Sequence, residues 1–414
     1  MLNLRAVTEE YVGGLQFVNE IPREIKLNIS SPDITVVAGP RRVGKTFLML
    51  REVRALMGSG ERVAYLSLDD PLFRGIDARR LAELVRSEYP EGRVYLFLDE
   101  VQDWKDWDFK LRWLHDVKDF KLVVSGSSSS LLSSEIPSRL RGRQFTKVVL
   151  PISIRELVPS AGGDFRERGV FNNILREYLV WGGFPEPWIY RSREKLIDVV
   201  ETVFYRDLVE RNRIRDTEQF RAVFDFLLSN YSNQMTWNSV RNMLKGIGVD
   251  VDVKTVMNYV DYMRKAFLVF PVRRYDYSER RRAVSPKKLY LVDLGIASLY
   301  ENHSSARSQG NLGRKLENLI FLELIRRSWE VDYYLLKDGR EVDFVARKEG
   351  KKLLVEVTLN TDTEHVDKVR RAMLETGIRE AHIVSLEGET KILGDGMKEV
   401  QLLDWISGSG LQDR

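Results

Sequence analysis

The chain has 414 residues, 43% hydrophobic and 30% charged, and its 65 basic against 61 acidic side chains leave a formal net charge of +4. So small an excess gives no bulk signal for a polyanionic partner, and only local clusters of charge can argue for one. Cysteine is absent, which excludes disulfides and thiolate metal sites and fits a reducing cytoplasm. No apolar run reaches membrane-spanning length, and the first residues lack the pattern of a secretory signal. A cytoplasmic protein of two to four domains with no membrane partner is expected.

The first element in chain order is a short buried strand, Ile34-Thr35-Val36-Val37-Ala38. It leads into Gly39-Pro40-Arg41-Arg42-Val43-Gly44-Lys45-Thr46, which matches the G-x-x-x-x-G-K-[ST] phosphate loop. The glycines let the backbone wrap closely around a polyphosphate and aim its N–H groups at the oxygens. Lys45 reaches the β and γ phosphates, and the Thr46 hydroxyl is a Mg²⁺ ligand. A helix over 47–57 follows and adds the positive end of its dipole, with Phe47 in its first turn. Gly58-Ser59-Gly60 stops it.

Val63-Ala64-Tyr65-Leu66-Ser67-Leu68 reads as a second strand, and Val94-Tyr95-Leu96-Phe97-Leu98 as a third. Continuous apolar runs of this kind are central strands of a parallel sheet, with ligands at their carboxyl ends. The third strand ends in Asp99-Glu100. Asp99 is placed to hold Mg²⁺, and Glu100 to orient and deprotonate the attacking water. Lys121-Leu122-Val123-Val124 ends in Ser125-Gly126-Ser127-Ser128, where Ser125 and Ser127 are candidates to contact the γ-phosphate. Ser138-Arg139-Leu140-Arg141-Gly142-Arg143 offers three arginines, and Arg143 is the first choice for stabilising phosphoryl charge in its own or a neighbouring subunit. Lys147-Val148-Val149-Leu150 completes a five-stranded α/β core.

Residues 152–215 read as helical, interrupted by a turn at Trp181-Gly182-Gly183-Phe184-Pro185-Glu186. Amphipathic helices are expected at 220–228, 235–244 and 253–267, followed by a strand at 268–272. Three short helices and a hairpin outline a winged helix, whose third helix offers Lys254, Asn258 and Arg264. Arg273-Arg274-Tyr275-Asp276-Tyr277, Arg280-Arg281-Arg282 and Lys287-Lys288 interleave basic and aromatic residues as phosphate contact and stacking require. DNA is the partner this arrangement suggests. Protein contact is the alternative.

The last hundred residues hold a second candidate metal site. Glu317 falls in a helix starting near Gly313, and Asp343 and Glu356 fall on the strands 341–345 and 353–358. This resembles the way PD-(D/E)XK nucleases hold Mg²⁺ with carboxylates while a lysine helps activate water. Thr358 stands at the lysine position and cannot supply that positive charge. A degenerate domain used for contact is therefore the leading expectation here.

Taken together, these segments resemble a prokaryotic, largely archaeal group of AAA+ class ATPases with an AAA_14-type ATPase domain and a DUF4143-type C-terminal region. The resemblance rests on 39–46, Leu98-Asp99-Glu100, Gly142-Arg143, the 181–186 turn, Lys288-Leu289-Tyr290-Leu291-Val292-Asp293-Leu294-Gly295, Gly313 with Glu317-Asn318, Glu341-Val342-Asp343-Phe344 and Val355-Glu356-Val357. It implies ATP rather than GTP as the nucleotide, an AAA+ core, a winged helix and a nuclease-like terminal domain. The expected fold class is α/β, and the expected divisions are 1–158 for the ATPase core, 159–215 for a helical lid, 216–283 for the winged helix and 284–414 for the nuclease-like domain. The expected function is a Mg²⁺-dependent ATPase switch acting on DNA or a partner, with homo-oligomerisation open. Rival readings are an ATP-regulated nuclease and a protein-binding signalling ATPase.

Overall fold

A computed structural model describes residues 3–127, 131, 140, 142–160, 162–164, 167–301 and 308–408. Two compact units divide the chain. The first comprises Met1–Leu150 with Lys265–Phe267, and the second Pro151–Arg264 with Leu268–Arg414. Among the described residues no helix is long and apolar enough to cross a membrane.

Five strands build the first unit: β1 (Ile34–Ala38), β2 (Val63–Ser67), β3 (Val94–Asp99), β4 (Phe120–Gly126) and β5 (Gln144–Val148). All pair parallel in the order β2-β3-β4-β1-β5. Helices Lys45–Gly58, Ala78–Glu88 and Trp107–Asp116 connect successive strands. Val36, Leu96, Leu98, Leu122 and Val124 pack with Leu81, Val85, Leu111 and Leu114 in one apolar core, joined by Leu4 of the N-terminal helix Leu4–Gly13. This is the parallel sheet of a P-loop AAA+ fold. The last strand begins three residues earlier than its sequence suggests. It is an edge strand, with Phe145 39% and Val148 38% exposed, so it lacks the unbroken apolar run of a central strand.

The second unit opens with helices Ile154–Ser160, Arg168–Trp181, Pro185–Tyr190 and Arg193–Thr202. Helices Thr217–Ser229, Trp237–Gly246 and Val253–Lys265 follow. Strands β6 (Gln234–Met235), β7 (Val269–Val272) and β8 (Lys287–Leu291) form an antiparallel sheet in the order β6-β8-β7. Thr236 starts the middle helix with a capping box, its hydroxyl accepting from Ser239 N at 3.0 Å. A six-stranded mixed sheet comprises β9 (Glu330–Leu335), β10 (Glu341–Lys348), β11 (Lys351–Thr358), β12 (Ala381–Ser385), β13 (Lys391–Gly394) and β14 (Met397–Gln401). Its order is β13-β14-β12-β11-β10-β9, and helices Ser308–Arg326 and Thr363–Thr376 pack on it.

Two motifs far apart in sequence meet around Asp293. Its buried carboxylate accepts from Gly183 N at 2.6 Å and from Gly295 N at 2.8 Å. A Cβ on Gly182 would lie 2.0 Å from an Asp293 oxygen, and one on Gly183 2.1 Å from the Ile152 carbonyl. Only glycine admits this approach, so the 181–186 turn and the 288–295 segment form one structural clasp. Burial pushes the Asp293 carboxyl up to about 6, against the opposing pull of its N–H donors. A raised acid binds its proton more tightly in the folded state. The resulting stabilisation is full below the unfolded value and is lost as pH rises through about 6. Asp293→Asn keeps one acceptor but faces Gly183 N with an amide donor. It is expected to cost about 1–3 kcal/mol at neutral pH and to flatten the stability profile between about pH 4 and 6. Chemical denaturation of both proteins across that range checks this, and an unchanged slope assigns the pH dependence to another group.

Candidate nucleotide site and a second acidic cluster

The phosphate loop leaves the end of β1. A Cβ on Gly39 would meet the Val149 carbonyl oxygen at 2.2 Å, so the loop's first turn requires glycine. Gly44 has φ 93°, in the left-handed region, directly before the helix that starts at Lys45. Lys45 is buried, and its ammonium donates to the carbonyls of Gly39 at 3.2 Å and Pro40 at 2.9 Å. Arg41, Arg42 and Phe47 are half-buried along the loop and the helix start, while Val43 is fully buried. Arg23 braces the loop from outside the motif: its guanidinium donates to the Val43 carbonyl at 3.1 Å and the Leu150 carbonyl at 2.7 Å. Nothing in the sequence marks that arginine, since its role depends on where the preceding segment lies.

Asp99 ends β3 with 1% exposure. Its Oδ2 accepts from the Thr46 hydroxyl at 2.6 Å and the Tyr65 hydroxyl at 2.7 Å. Its Oδ1 accepts from Glu100 N at 3.1 Å and from the Ser125 hydroxyl. Glu100 is left-handed, with φ 54°, and its N–H also points to Ser125 Oγ at 3.2 Å. Burial pushes the Glu100 carboxyl above its ordinary value while the Lys45 ammonium pulls it back. Gln102 donates to Glu100 Oε2 and accepts from Ser127 N at 3.2 Å. The Ser127 hydroxyl is buried with no hydrogen-bond partner among the described residues. Of the two serines, Ser125 is committed to Asp99, and Ser127 is the one without a partner among the described residues.

These residues suit a magnesium–triphosphate. Thr46 and Asp99 supply the hard oxygen donors that Mg²⁺ prefers. Lys45 rests on carbonyls that phosphate oxygens would replace, and Ser127 is an orphaned hydroxyl at the neighbouring strand end.

Arg143 is not part of this pocket. Ile34 N donates to its carbonyl at 2.8 Å, beside the start of β1, whereas the phosphate loop follows the end of that strand. A five-residue strand separates them by about 17 Å, beyond an arginine's reach. The expectation that Arg143 contacts the γ-phosphate within its own chain is corrected accordingly. Its guanidinium lies 3.9 Å from Asp116. Ser128, Ser138, Arg139 and Arg141 lie outside the described residues.

In the second unit, carboxylate oxygens of Glu317, Glu341 and Asp343 lie within 4.8 Å of one another. Glu341 was not anticipated, although it shares a strand face with Asp343 two positions on. Glu356 sits on the neighbouring strand, where burial and then the Asp343 charge push its carboxyl well above the ordinary value. One of its oxygens pairs with Lys368, and the other, buried, has no hydrogen-bond partner among the described residues. Thr358 turns its hydroxyl to the Asn360 carbonyl at 2.8 Å. The cluster's cation is Lys288, whose buried ammonium donates to Glu317 at 2.5 Å and also to Glu341. Burial pushes Glu317 up to about 8, with Lys288 opposing. The reading of Lys288 as a phosphate contact is thereby corrected: β8 is buried from Lys288 to Leu291, and Glu317 and Glu341 take up the ammonium.

Several other basic residues are also engaged. Arg274 donates to the Leu335 carbonyl at 3.1 Å, and Arg281 pairs with Asp276 at 3.0 Å. Arg282 pairs with Glu279 at 2.6 Å and lies 3.8 Å from Asp332. Arg280, Arg281 and Arg282 lie on the short helix Glu279–Val284, because Ser278 caps it. Arg264 pairs with Asp261 at 2.7 Å. Lys254, Asn258, Arg273 and Arg280 are exposed.

Comparison with known proteins agrees with the geometry of the first unit. The AAA_14 model, an AAA domain, matches residues 31–158. Two domains of unknown function match beyond it, DUF8612 over 172–306 and DUF4143 over 312–402. The uncharacterized protein MJ1544 of Methanocaldococcus jannaschii is 30% identical over 348 residues, covering 81% of this chain and 76% of that protein. An uncharacterized protein of Haemophilus influenzae is 27% identical over 392 residues, covering 90% of this chain and 94% of its own length. Among solved structures, AMPPCP-bound DnaA from Aquifex aeolicus aligns at 14% identity over 64% of this chain and 88% of that one, with a TM-score of 0.28. Drosophila ORC bound to AT-rich DNA and Cdc6 aligns at 10% identity over 72% and 92%, with a TM-score of 0.22. With its phosphate loop, parallel sheet and matched C-terminal region, the chain belongs to the AAA-domain ATPase family that carries a DUF4143 region.

Proposed function

We propose that this protein is a Mg²⁺-dependent ATPase switch whose nucleotide state governs its hold on DNA. The observation that carries the reading is the convergence of Lys45, Thr46, Asp99 and Glu100 at the ends of β1 and β3. Lys45 exchanges its loop carbonyls for phosphate oxygens. Thr46 and Asp99 hold the metal, which when bound neutralises charge on the β and γ phosphates. Glu100 takes a proton from the attacking water, and Ser127 donates its unsatisfied hydroxyl to the γ-phosphate or that water. Arg143 acts only on a neighbouring copy, which makes a homo-oligomer part of the proposal. The three helices with β6 and β7 serve as a winged helix, its sheet completed by β8 from the segment that follows, with Lys254, Arg273 and Arg280 as its exposed basic contacts. Residues 159–215 are assigned to the lid, 216–283 to the winged helix and 284–414 to a terminal domain. The absence of cysteine supports a cytoplasmic setting.

Lys45→Ala is expected to abolish tight ATP binding. Glu100→Gln should bind ATP but turn it over about 10²–10⁴-fold more slowly. A base with a raised value loses activity as pH falls through that value, so wild-type turnover should show an acid limb above the ordinary glutamate range and the Gln variant should not. A phosphate-release assay across pH checks both, and normal turnover in Glu100→Gln refutes the base assignment.

Because Arg274, Arg281 and Arg282 are engaged within the protein, few phosphates are open to contact. Fluorescence anisotropy at several salt concentrations should give a slope of log K against log salt no steeper than about −3. A slope of zero would favour a protein partner instead.

One observation favours a second reading, metal-dependent DNA cleavage: three carboxylates gathered within 4.8 Å. Lys288 opposes it by filling the cluster with its own charge. Cleavage of plasmid DNA with Mn²⁺ that disappears in Asp343→Ala would establish the nuclease. Undamaged DNA in both would leave the cluster as an internal ion-pair network.

A further inference from the structure

Tyr65 is the one polar-tipped ring in the interior of β2, at 1% exposure among Val63, Ala64 and Leu66. A buried phenol needs a partner for its hydroxyl. Strand register supplies it. Ser67 of β2 lies opposite Asp99 of β3, and Tyr65 shares Ser67's face two positions earlier. The intervening rise of about 7 Å is close to the length of a tyrosine side chain. Its hydroxyl accordingly reaches Asp99 Oδ2 at 2.7 Å, the same oxygen that takes the Thr46 hydroxyl at 2.6 Å.

The N-terminal helix fixes the ring. The Thr8 hydroxyl accepts from Tyr65 N at 3.1 Å. Tyr11 lies against the Tyr65 ring with centroids 4.9 Å apart, and its own hydroxyl is held by Asp70 at 2.6 Å. Burial and the adjacent Asp99 charge keep the Tyr65 phenol protonated, so it remains a donor.

We propose that Tyr65 is a positioning residue for the magnesium site, its O–H fixing the Asp99 carboxylate in the orientation that meets the metal. The inference rests on the ATPase reading above. Of the two donors to Oδ2, the Thr46 hydroxyl would also offer a lone pair to Mg²⁺ when metal binds, so its position is shared between carboxylate and metal. Tyr65 has no such second duty. It holds that oxygen with and without metal and limits the swing of the carboxylate. A partner of this kind, behind a metal ligand, typically matters 10–100-fold in metal affinity or activity.

The test is Tyr65→Phe, which keeps the ring against Tyr11 and removes only the hydroxyl. Affinity for a fluorescent ATP analogue is measured in EDTA and across a Mg²⁺ titration, beside the melting temperature without nucleotide. Turnover is followed over the same titration. Expected is a melting temperature and an EDTA affinity near wild type, with the Mg²⁺ concentration for half-maximal effect raised about 10–100-fold and turnover recovered at saturating metal. A magnesium curve superimposed on wild type overturns the proposal. So does an equal loss of affinity in EDTA, which would make Tyr65 a packing residue. Wild-type protein that binds no Mg-nucleotide at all would refute the ATPase reading itself, and this inference with it. Wild-type binding with an unshifted variant refutes this inference alone.

Discussion

A carboxylate buried inside a sheet carries a heavy desolvation cost unless donors meet both its oxygens. Asp99 satisfies that condition with four, drawn from different places: Thr46 from the helix after the phosphate loop, Tyr65 from β2, Ser125 from β4 and the main chain of Glu100. The strand order β2-β3-β4-β1 is what brings them together, because it sets β3 between the two strands that carry Tyr65 and Ser125. An orphaned oxygen there would cost about 1–3 kcal/mol. The left-handed backbone at Glu100 follows from the same need. Turning the chain there points its N–H back at Asp99 and Ser125, and it carries the Glu100 side chain to Gln102.

The second unit solves the same problem by different means. Asp293 uses main-chain N–H groups, and the glycines around it exist to let them come close. Around Glu317, four carboxylates face two lysines among the described residues, Lys288 and Lys368. Burial raises both Glu317 and Glu356. Protons on these two would bring the cluster to neutrality, which is what a divalent cation would do in their place. A lysine already bonded to two of the carboxylates makes the metal-free state self-sufficient.

Sequence revealed the phosphate loop and the central strands because both are local signals. A spaced glycine–lysine pattern and a continuous apolar run survive without any knowledge of neighbours. Edge strand β5 begins earlier than its apolar residues suggest, since Phe145 and Val148 face water and its apolar run is broken. Arg23, Tyr65 and Glu341 were not legible, because their roles come from which strand or segment lies beside them. Lys288 was misread for the opposite reason. A run of basic residues looks solvated in composition, yet Lys287 is half-buried with its ammonium on the Arg282, Ala283 and Ser285 carbonyls, and Lys288 is buried against Glu317. The terminal cluster was half legible: the acids' spacing pointed to one site, but its resident cation came from a strand thirty residues upstream.

Parallel topology also divides labour along each strand. Residues at the carboxyl ends of β1, β3 and β4 lie at one edge of the sheet, and on the proposed reading Lys45, Asp99, Glu100 and Ser127 would serve the nucleotide of their own chain. Arg143 enters β5 at the other end, tied to Ile34 at the start of β1. No side-chain rotamer spans the length of a strand, so an arginine in that position is held away from the phosphate loop of its own chain by geometry rather than by sequence type. On the proposed reading it would serve a phosphate only if another copy brought one to it, and the parallel order of the sheet would then set which of its charged residues need a neighbour.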